Sequence, residues 1–180
     1  EMCIRDSYIA EAEGYFEEFG IQLDKVTFNQ TVEGIPLLLS GQLDVYAGAN
    51  NPGLINIFRE ESSVKAVAQR GAVLSGSCTY LGVLVRKDLF DSGQVTSLGD
   101  LKGLKVIVTE TGTTGYAFSQ MIGEFGLTFA DVETHSMPPS AYVDAFRNKT
   151  VDAIVTPELN LTRLLLDGNA ILLGKAEDYV

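Results

Sequence analysis

Histidine occurs once in this 180-residue chain, cysteine twice and tryptophan not at all. A single histidine, His135, excludes a multi-histidine metal centre and any catalytic pair of neighbouring histidines. Cys3 and Cys78 form no Cys-x-x-Cys spacing, and two cysteines do not make a disulfide framework. Cys78 reads as a buried or free thiol rather than a reacting group. Basic residues are scarce, with 13 Lys and Arg against 24 Asp and Glu and a net charge of −11. A surface of that sign repels phosphate backbones, and no basic cluster offsets it, so nucleic acid is not an expected partner. No apolar run approaches the roughly 18 residues that a membrane-spanning helix needs. No metal or cofactor is expected.

What is present is an ordinary globular composition, 46% hydrophobic and 21% charged, long enough for one domain or two small ones. Residues 1–7 (EMCIRDS) show neither periodicity nor a cap role and are expected to be non-native or disordered. From Tyr8 the pattern is regular. Ile9, Ala12, Phe16 and Phe19 share one helical face, and Gly20 closes it. Ile21–Phe28 reads as a strand with Ile21, Leu23 and Val26 inward. Val32, Ile35, Leu38 and Leu39 mark a second helix, closed by Gly41. A short strand Leu43–Ala47 leads to the turn Gly48-Ala49-Asn50-Asn51, and Pro52 opens a helix carrying Leu54, Ile55 and Phe58. Val64–Ala68 is a further strand.

Thr79–Val85 is an extended run, and Arg86–Gly93 breaks the pattern, which places a domain crossing there. Ser97–Gly103 reads as one short helix. Leu104–Val108 is a buried strand, followed by the turn Thr109–Gly115 and a helix from Tyr116 to Phe125. Then come strand Asp131–Met137, helix Pro139–Asn148, strand Asp152–Thr156, helix Glu158–Leu166 and strand Ala170–Leu173. Strands alternating with helices imply βα units and a mostly parallel sheet. Two stretches nearly repeat. Phe19-Gly20-Ile21 matches Phe125-Gly126-Leu127, and Ser40–Val45 matches Asn148–Ala153. Two lobes of similar construction are expected.

Five segments in this order resemble a known family: YIAEAEGYFEEFGIQLDKVTF, LLLSGQLDVYAGANNPGL, YLGVLVRKD, SLGDLKGLKVIVTETGTTGYAFSQMIGEFGLTFADVE and MPPSAYVDAFRNKTVDAIVTPE. The chain is similar, from about Tyr8 onward, to the periplasmic substrate-binding proteins of ABC transporters. The nearest group is the nitrate, sulfonate, taurine and thiamine-precursor binders. The resemblance implies an α/β, two-lobed, type II periplasmic-binding-protein fold, each lobe a mostly parallel sheet flanked by helices. Lobe one would span 8–90, with 170–180 returning to it, and lobe two 91–169. Family members are longer at both ends, so the chain is expected to be a fragment.

Ligands of open α/β sheets sit beyond the carboxyl ends of the strands. Four turns meet that condition. Gly48, Ala49, Asn50 and Asn51 resemble the family's glycine-containing ligand loop, or form a plain helix start. Arg70 reads as a bidentate anion contact or as a solvated surface arginine. Thr111, Gly112, Thr113 and Thr114 offer N–H and hydroxyl groups at a helix N-terminus, or Thr113 or Thr114 is merely the N-cap. Glu158 reads as a ligand contact or as a first-turn acid stabilising its helix. Tyr80 and Tyr116 are candidates to flank a flat ligand, whereas core packing is the default for Tyr46. His135 is read as structural.

The resemblance implies a monomeric solute-binding component of an ABC importer, located in the periplasm or anchored outside the cytoplasmic membrane. Such a protein captures a small organic anion of sulfonate, taurine or nitrate type by closure at the crossing strands Tyr80–Arg86 and Ala170–Gly174, then delivers it to a membrane permease. It is not expected to be an enzyme. The alternatives are a binder of a thiamine-precursor pyrimidine, a pyrimidine-precursor synthase or a ligand-sensing domain. Glu110 decides between the anion and the pyrimidine, according to whether its charge faces the ligand.

Overall fold

The computed structural model describes residues 6–28, 33–48, 52–60, 63–68 and 80–179. The chain divides into two compact units, Glu1–Ala72 and Val73–Val180.

In the first unit, helices α1 (Asp6–Ala12) and α2 (Tyr15–Glu18) form the expected N-terminal helix in two pieces, separated at Gly14. Asp6 and Ser7 are thus helical and not disordered, while residues 1–5 lie outside the described part. Gly20 adopts φ 68°, Ile21 N–H bonds to Phe16 O at 2.8 Å and Gly20 N–H to Glu17 O at 2.9 Å. These two bonds satisfy carbonyls that a helix end leaves open. Helix α3 (Gly34–Leu39) stops in the same way at Gly41, and α4 (Pro52–Glu60) begins at its proline. The segments expected as strands, 21–28, 43–47 and 64–68, carry no strand ladder among the described residues. Ile21, Leu23 and Val26 are consequently exposed, contrary to expectation, because an amphipathic strand is covered only when a ladder places it in a sheet.

The second unit holds a five-stranded mixed sheet in the order β3-β2-β4-β1-β5. The strands are β1 (Leu81–Arg86), β2 (Lys105–Ile107), β3 (Glu133–His135), β4 (Ala153–Pro157) and β5 (Ala170–Lys175). β2 runs parallel to β3 and β4, whereas β1 is antiparallel to both β4 and β5. Both expected crossing strands therefore lie inside this one sheet, and the division between units falls at 72/73 instead of 90/91. Every residue of β1 is buried, as a strand covered on both faces requires. Leu81, Val83 and Val85 point into one core with Phe118, Met121 and Ile122 of α6 (Gly112–Gly123). Leu84 points into the other with Phe146 of α7 (Tyr142–Arg147) and Leu161 and Leu164 of α8 (Asn160–Asp167). The short helix expected at Ser97–Gly103 is a 3₁₀ turn, Leu98–Leu101, opened by a Ser97/Asp100 capping box.

One edge of the sheet is joined by a buried ion pair. Arg86, ending β1, is 8% exposed. Its Nη1 donates to Asp152 Oδ1 at 2.9 Å and to Val151 O at 3.0 Å, and its Nε donates to Asp88 Oδ1 at 2.9 Å. Asp152 Oδ2 accepts the Lys105 N–H that opens β2 at 2.9 Å. One carboxylate thus fixes the ends of three strands. Asp88, in the short helix α5 (Lys87–Asp91), also takes Lys149 Nζ at 2.8 Å. Lys149 is the residue matching Gly41 in the sequence repeat, and it too has positive φ, 55°.

Removing Arg86 as Arg86→Met strands the Asp152 carboxylate in a largely buried place. It is expected to destabilise the second unit by about 3 kcal/mol, measured by urea unfolding. An unchanged midpoint would show that the strand ends do not depend on the pair. Hydrogen bonds from Lys149 and Arg86 hold the Asp88 carboxyl down to about 2. Its folded value lies below the unfolded one, so its contribution is complete above about pH 4 and fades as pH falls toward 2. The stability difference between wild type and Asp88→Asn should therefore be flat near neutral pH and shrink over that acid window. A difference that grows on acidification contradicts this.

Candidate functional site

The carboxyl ends of β2, β3 and β4 share one edge of the sheet, opposite the Arg86–Asp152 pair. Because β1 runs the other way, its first residue reaches that same edge. Leu81 pairs with Pro157, and Tyr80 O accepts the Glu158 N–H at 2.8 Å. The fold thereby brings together Tyr80, the Thr109–Tyr116 segment and Glu158, which are far apart in sequence.

The turn after β2 is built tightly. Val108 N–H bonds to His135 O at 3.1 Å, which extends the β2–β3 pairing to the edge. A Cβ at Gly115 would stand 2.0 Å from Glu110 O and 2.7 Å from Thr109 O, so only glycine lets the first turn of α6 fold onto the loop before it. Helix α6 starts earlier than its apolar periodicity suggests, at Gly112 instead of Tyr116. Thr111 is the N-cap, with extended φ −94° and ψ 153°, and its side chain makes no cap bond. Thr113 and Thr114 fall in the first turn, so neither is the cap. That turn contains no acidic residue. Its N–H groups are thus uncapped by side chains, at the positive end of a 12-residue helix. Tyr116 is 59% exposed and Tyr80 37%, so both rings are available at this edge.

The two carboxylates at this edge are engaged by other donors. Thr134 Oγ1, from β3, donates to Glu110 Oε1 at 2.6 Å. Glu158 Oε2 accepts the Thr162 N–H at 3.1 Å and Oε1 the Thr162 hydroxyl at 2.9 Å, so Glu158 caps α8. Glu158 thus has the helix-stabilising role, from two residues before the first residue of α8 and not from its first turn. His135 Nε2 lies 2.8 Å from Glu133 Oε1 on the exposed outer strand. In the first unit the ring of Tyr46 packs over Gly34 and Gly48, where added Cβ atoms would come within 2.5 and 2.2 Å of it. Gly48 is described; Ala49, Asn50, Asn51 and Arg70 lie outside the described residues, as does Cys78.

Sequence reasoning did not single out Thr134 or Gly115. Thr134 sits in a strand whose side chains alternate, and nothing local in the sequence pairs it with Glu110. Gly115 could have been found, since a glycine at the fourth position of a helix calls for a reason. A separate open groove of about 360 Å³ lies between α7 and α8, lined by Val143, Asp144, Arg147, Arg163 and Asp167 among others. An Arg147–Asp167 ion pair lies in it, and it shares no lining residue with the sheet edge. Among the described residues no group of three His, Cys, Asp or Glu side chains is placed to hold a metal, and no helix is long and apolar enough to cross a membrane.

The family model described as NMT1/THI5 like matches residues 4–180. A Brucella abortus (strain 2308) protein named as a candidate binding protein is 29% identical over 146 residues, 81% of this chain and 41% of that one. The periplasmic aliphatic sulphonate binding protein SsuA of Escherichia coli superposes with a TM-score of 0.70 at 20% identity, covering 96% of this chain and 57% of SsuA. The periplasmic nitrate-binding protein NrtA of Synechocystis PCC 6803 gives 0.60 at 15% identity, covering 92% of this chain and 46% of NrtA. The chain thus spans about half the length of these proteins. At such identities the structural matches show the fold, which is the α/β fold of periplasmic binding proteins. With the family model matched over nearly its whole length, the chain belongs to the NMT1/THI5-like family.

Proposed function

We propose that this chain is part of the solute-binding component of an ABC importer, taking a small organic anion of sulfonate, taurine or nitrate type at the carboxyl edge of the second unit's sheet. The observation that carries the reading is the start of α6. Its first turn has no side-chain cap bond and contains no acidic residue, while Glu110, just before the N-cap, and Glu158 are bonded to Thr134 and Thr162. An anionic head is stabilised there by the helix dipole and by charge-assisted N–H bonds, with the threonine hydroxyls as further donors. Tyr80 and Tyr116 flank the organic part. A cationic or aminopyrimidine solute would need one of the two carboxylates turned toward it.

Binding without turnover suits this edge. The lone histidine has Nε2 on the Glu133 carboxylate, and among the described residues no hydroxyl or thiol is hydrogen-bonded to it as a nucleophile paired with a base would be. The names of SsuA and NrtA, one a sulphonate binder and one a nitrate binder, support an anion and a location outside the cytoplasmic membrane. Release of the solute to a membrane permease, by a monomer, completes the reading.

Calorimetric titration with ethanesulfonate, taurine, nitrate and an aminopyrimidine should give saturable one-site binding of an anion, with the ligand recovered unchanged. Binding of the aminopyrimidine alone, or conversion of any ligand, overturns the proposal. Gly115→Ala should push the loop off α6 and weaken anion binding by about tenfold or more, the loss of one charge-assisted bond, while the protein still melts cooperatively. Wild-type affinity in a folded Gly115→Ala protein would remove this turn from the site.

A further inference from the structure

We propose that Thr134 is a positioning residue that sets the ligand charge this site accepts, by keeping the Glu110 carboxylate away from the start of α6. This inference deepens the anion-binding reading and rests on it. Three observations meet at Glu110. It stands immediately before the N-cap Thr111. Its carbonyl lies so close to Gly115 that a Cβ there would be 2.0 Å away, so the residue is pressed against the helix's first turn. Its side chain is nevertheless committed elsewhere, with Oε1 taking the Thr134 hydroxyl at 2.6 Å.

A carboxylate in that place has two sets of donors within its compass, the Thr134 hydroxyl and the uncapped N–H groups opening α6. Acidic side chains near a helix N-terminus are stabilised there by the same dipole and the same donors that attract an anionic ligand. Glu110 is therefore an internal competitor for the ligand's place. Thr134 belongs to β3, whose register is fixed by its parallel pairing of Val106 with Thr134 and Ile107 with His135. The hydroxyl is thus presented from a strand paired to β2, and it holds the competing charge on the β3 side of the turn. Thr134 touches no ligand in this scheme. Its effect on affinity passes through Glu110.

Replacing the hydroxyl in Thr134→Val releases Glu110, whereas Thr134→Ser keeps the donor. The first readout is the amide chemical shifts of Thr113, Thr114 and Gly115 in the ligand-free protein. They should move in Thr134→Val, stay in Thr134→Ser, and return toward wild type in the double variant Thr134→Val/Glu110→Gln, which lacks the charge. The second readout is ethanesulfonate affinity by calorimetry. It should fall roughly fivefold or more in Thr134→Val, the scale of one charge at a helix terminus, and recover in the double variant. A residue that merely supported the fold would not be rescued by neutralising Glu110. Unmoved amides in Thr134→Val overturn the proposal. So does a lost affinity that the double variant fails to restore. If the amides move as expected but wild type binds neither ethanesulfonate nor nitrate, the anion-binding reading falls, and the selectivity role of Thr134 with it, while its hold on Glu110 stands.

Discussion

The structure of the second unit depends on one carboxylate. Asp152 Oδ1 takes the guanidinium that ends β1, Asp152 Oδ2 takes the N–H that opens β2, and its backbone continues into β4. A strand that slips by one residue turns its side chains to the other face, so three strand ends fixed together leave the register no freedom. This matters most for β1. It runs against its neighbours between β4 and β5, and it is apolar on both faces, so hydrophobicity alone would not tell one register from the next. Burying Arg86 costs hydration. The bonds to Asp152, Val151 O and Asp88 offset that cost, and their geometry selects a single alignment.

Because one edge is fixed, the other is positioned. The antiparallel course of β1 returns Tyr80 to the carboxyl ends of β2 and β4, and Tyr80 O receives the Glu158 N–H there. The Thr109–Gly115 turn is held from two sides, by the Val108–His135 bond and by the close approach of Glu110 O to Gly115. Few conformations remain open to such a turn. Donors aimed before a ligand arrives spare the entropy of ordering them on binding. The proposed capture of an anion rests on this prior order as much as on the charge of the helix end.

Much of this was legible in the chain. The glycine stops that the sequence places at Gly20 and Gly41 are present as paired helix-end bonds. The near-repeat of Ser40–Val45 in Asn148–Ala153 recurs as a shared backbone feature, since Lys149 takes the positive φ of Gly41, whereas among the described residues only the second unit carries a sheet. The alternation of strands and helices gave the α/β class, and all five strands of the second unit fall within two residues of their expected places. What was not legible depends on contacts between distant residues. The antiparallel sense of β1 has no local signal, because a strand buried on both faces looks alike in either direction. Arg86 looked like the start of a polar break, since its partner Asp152 lies far along the chain. Glu110 and Glu158 were ambiguous for the same reason, as Thr134 and the start of α8 decide where those charges go. In the first unit the sequence predicts strands, and the described residues there carry no strand ladder. Several proposed site residues there, Arg70 among them, lie outside the described part.

The central claim is that the start of α6, at the carboxyl edge of this sheet, receives the anion. It is tested most directly by titrating ethanesulfonate into isotope-labelled protein and following backbone amides. The account predicts saturable shifts at Thr113, Thr114 and Gly115, with the Lys105 and Asp152 amides at the opposite edge unmoved. Saturable shifts centred on Lys105 and Asp152, or on the α7–α8 groove, with α6 silent, would contradict it.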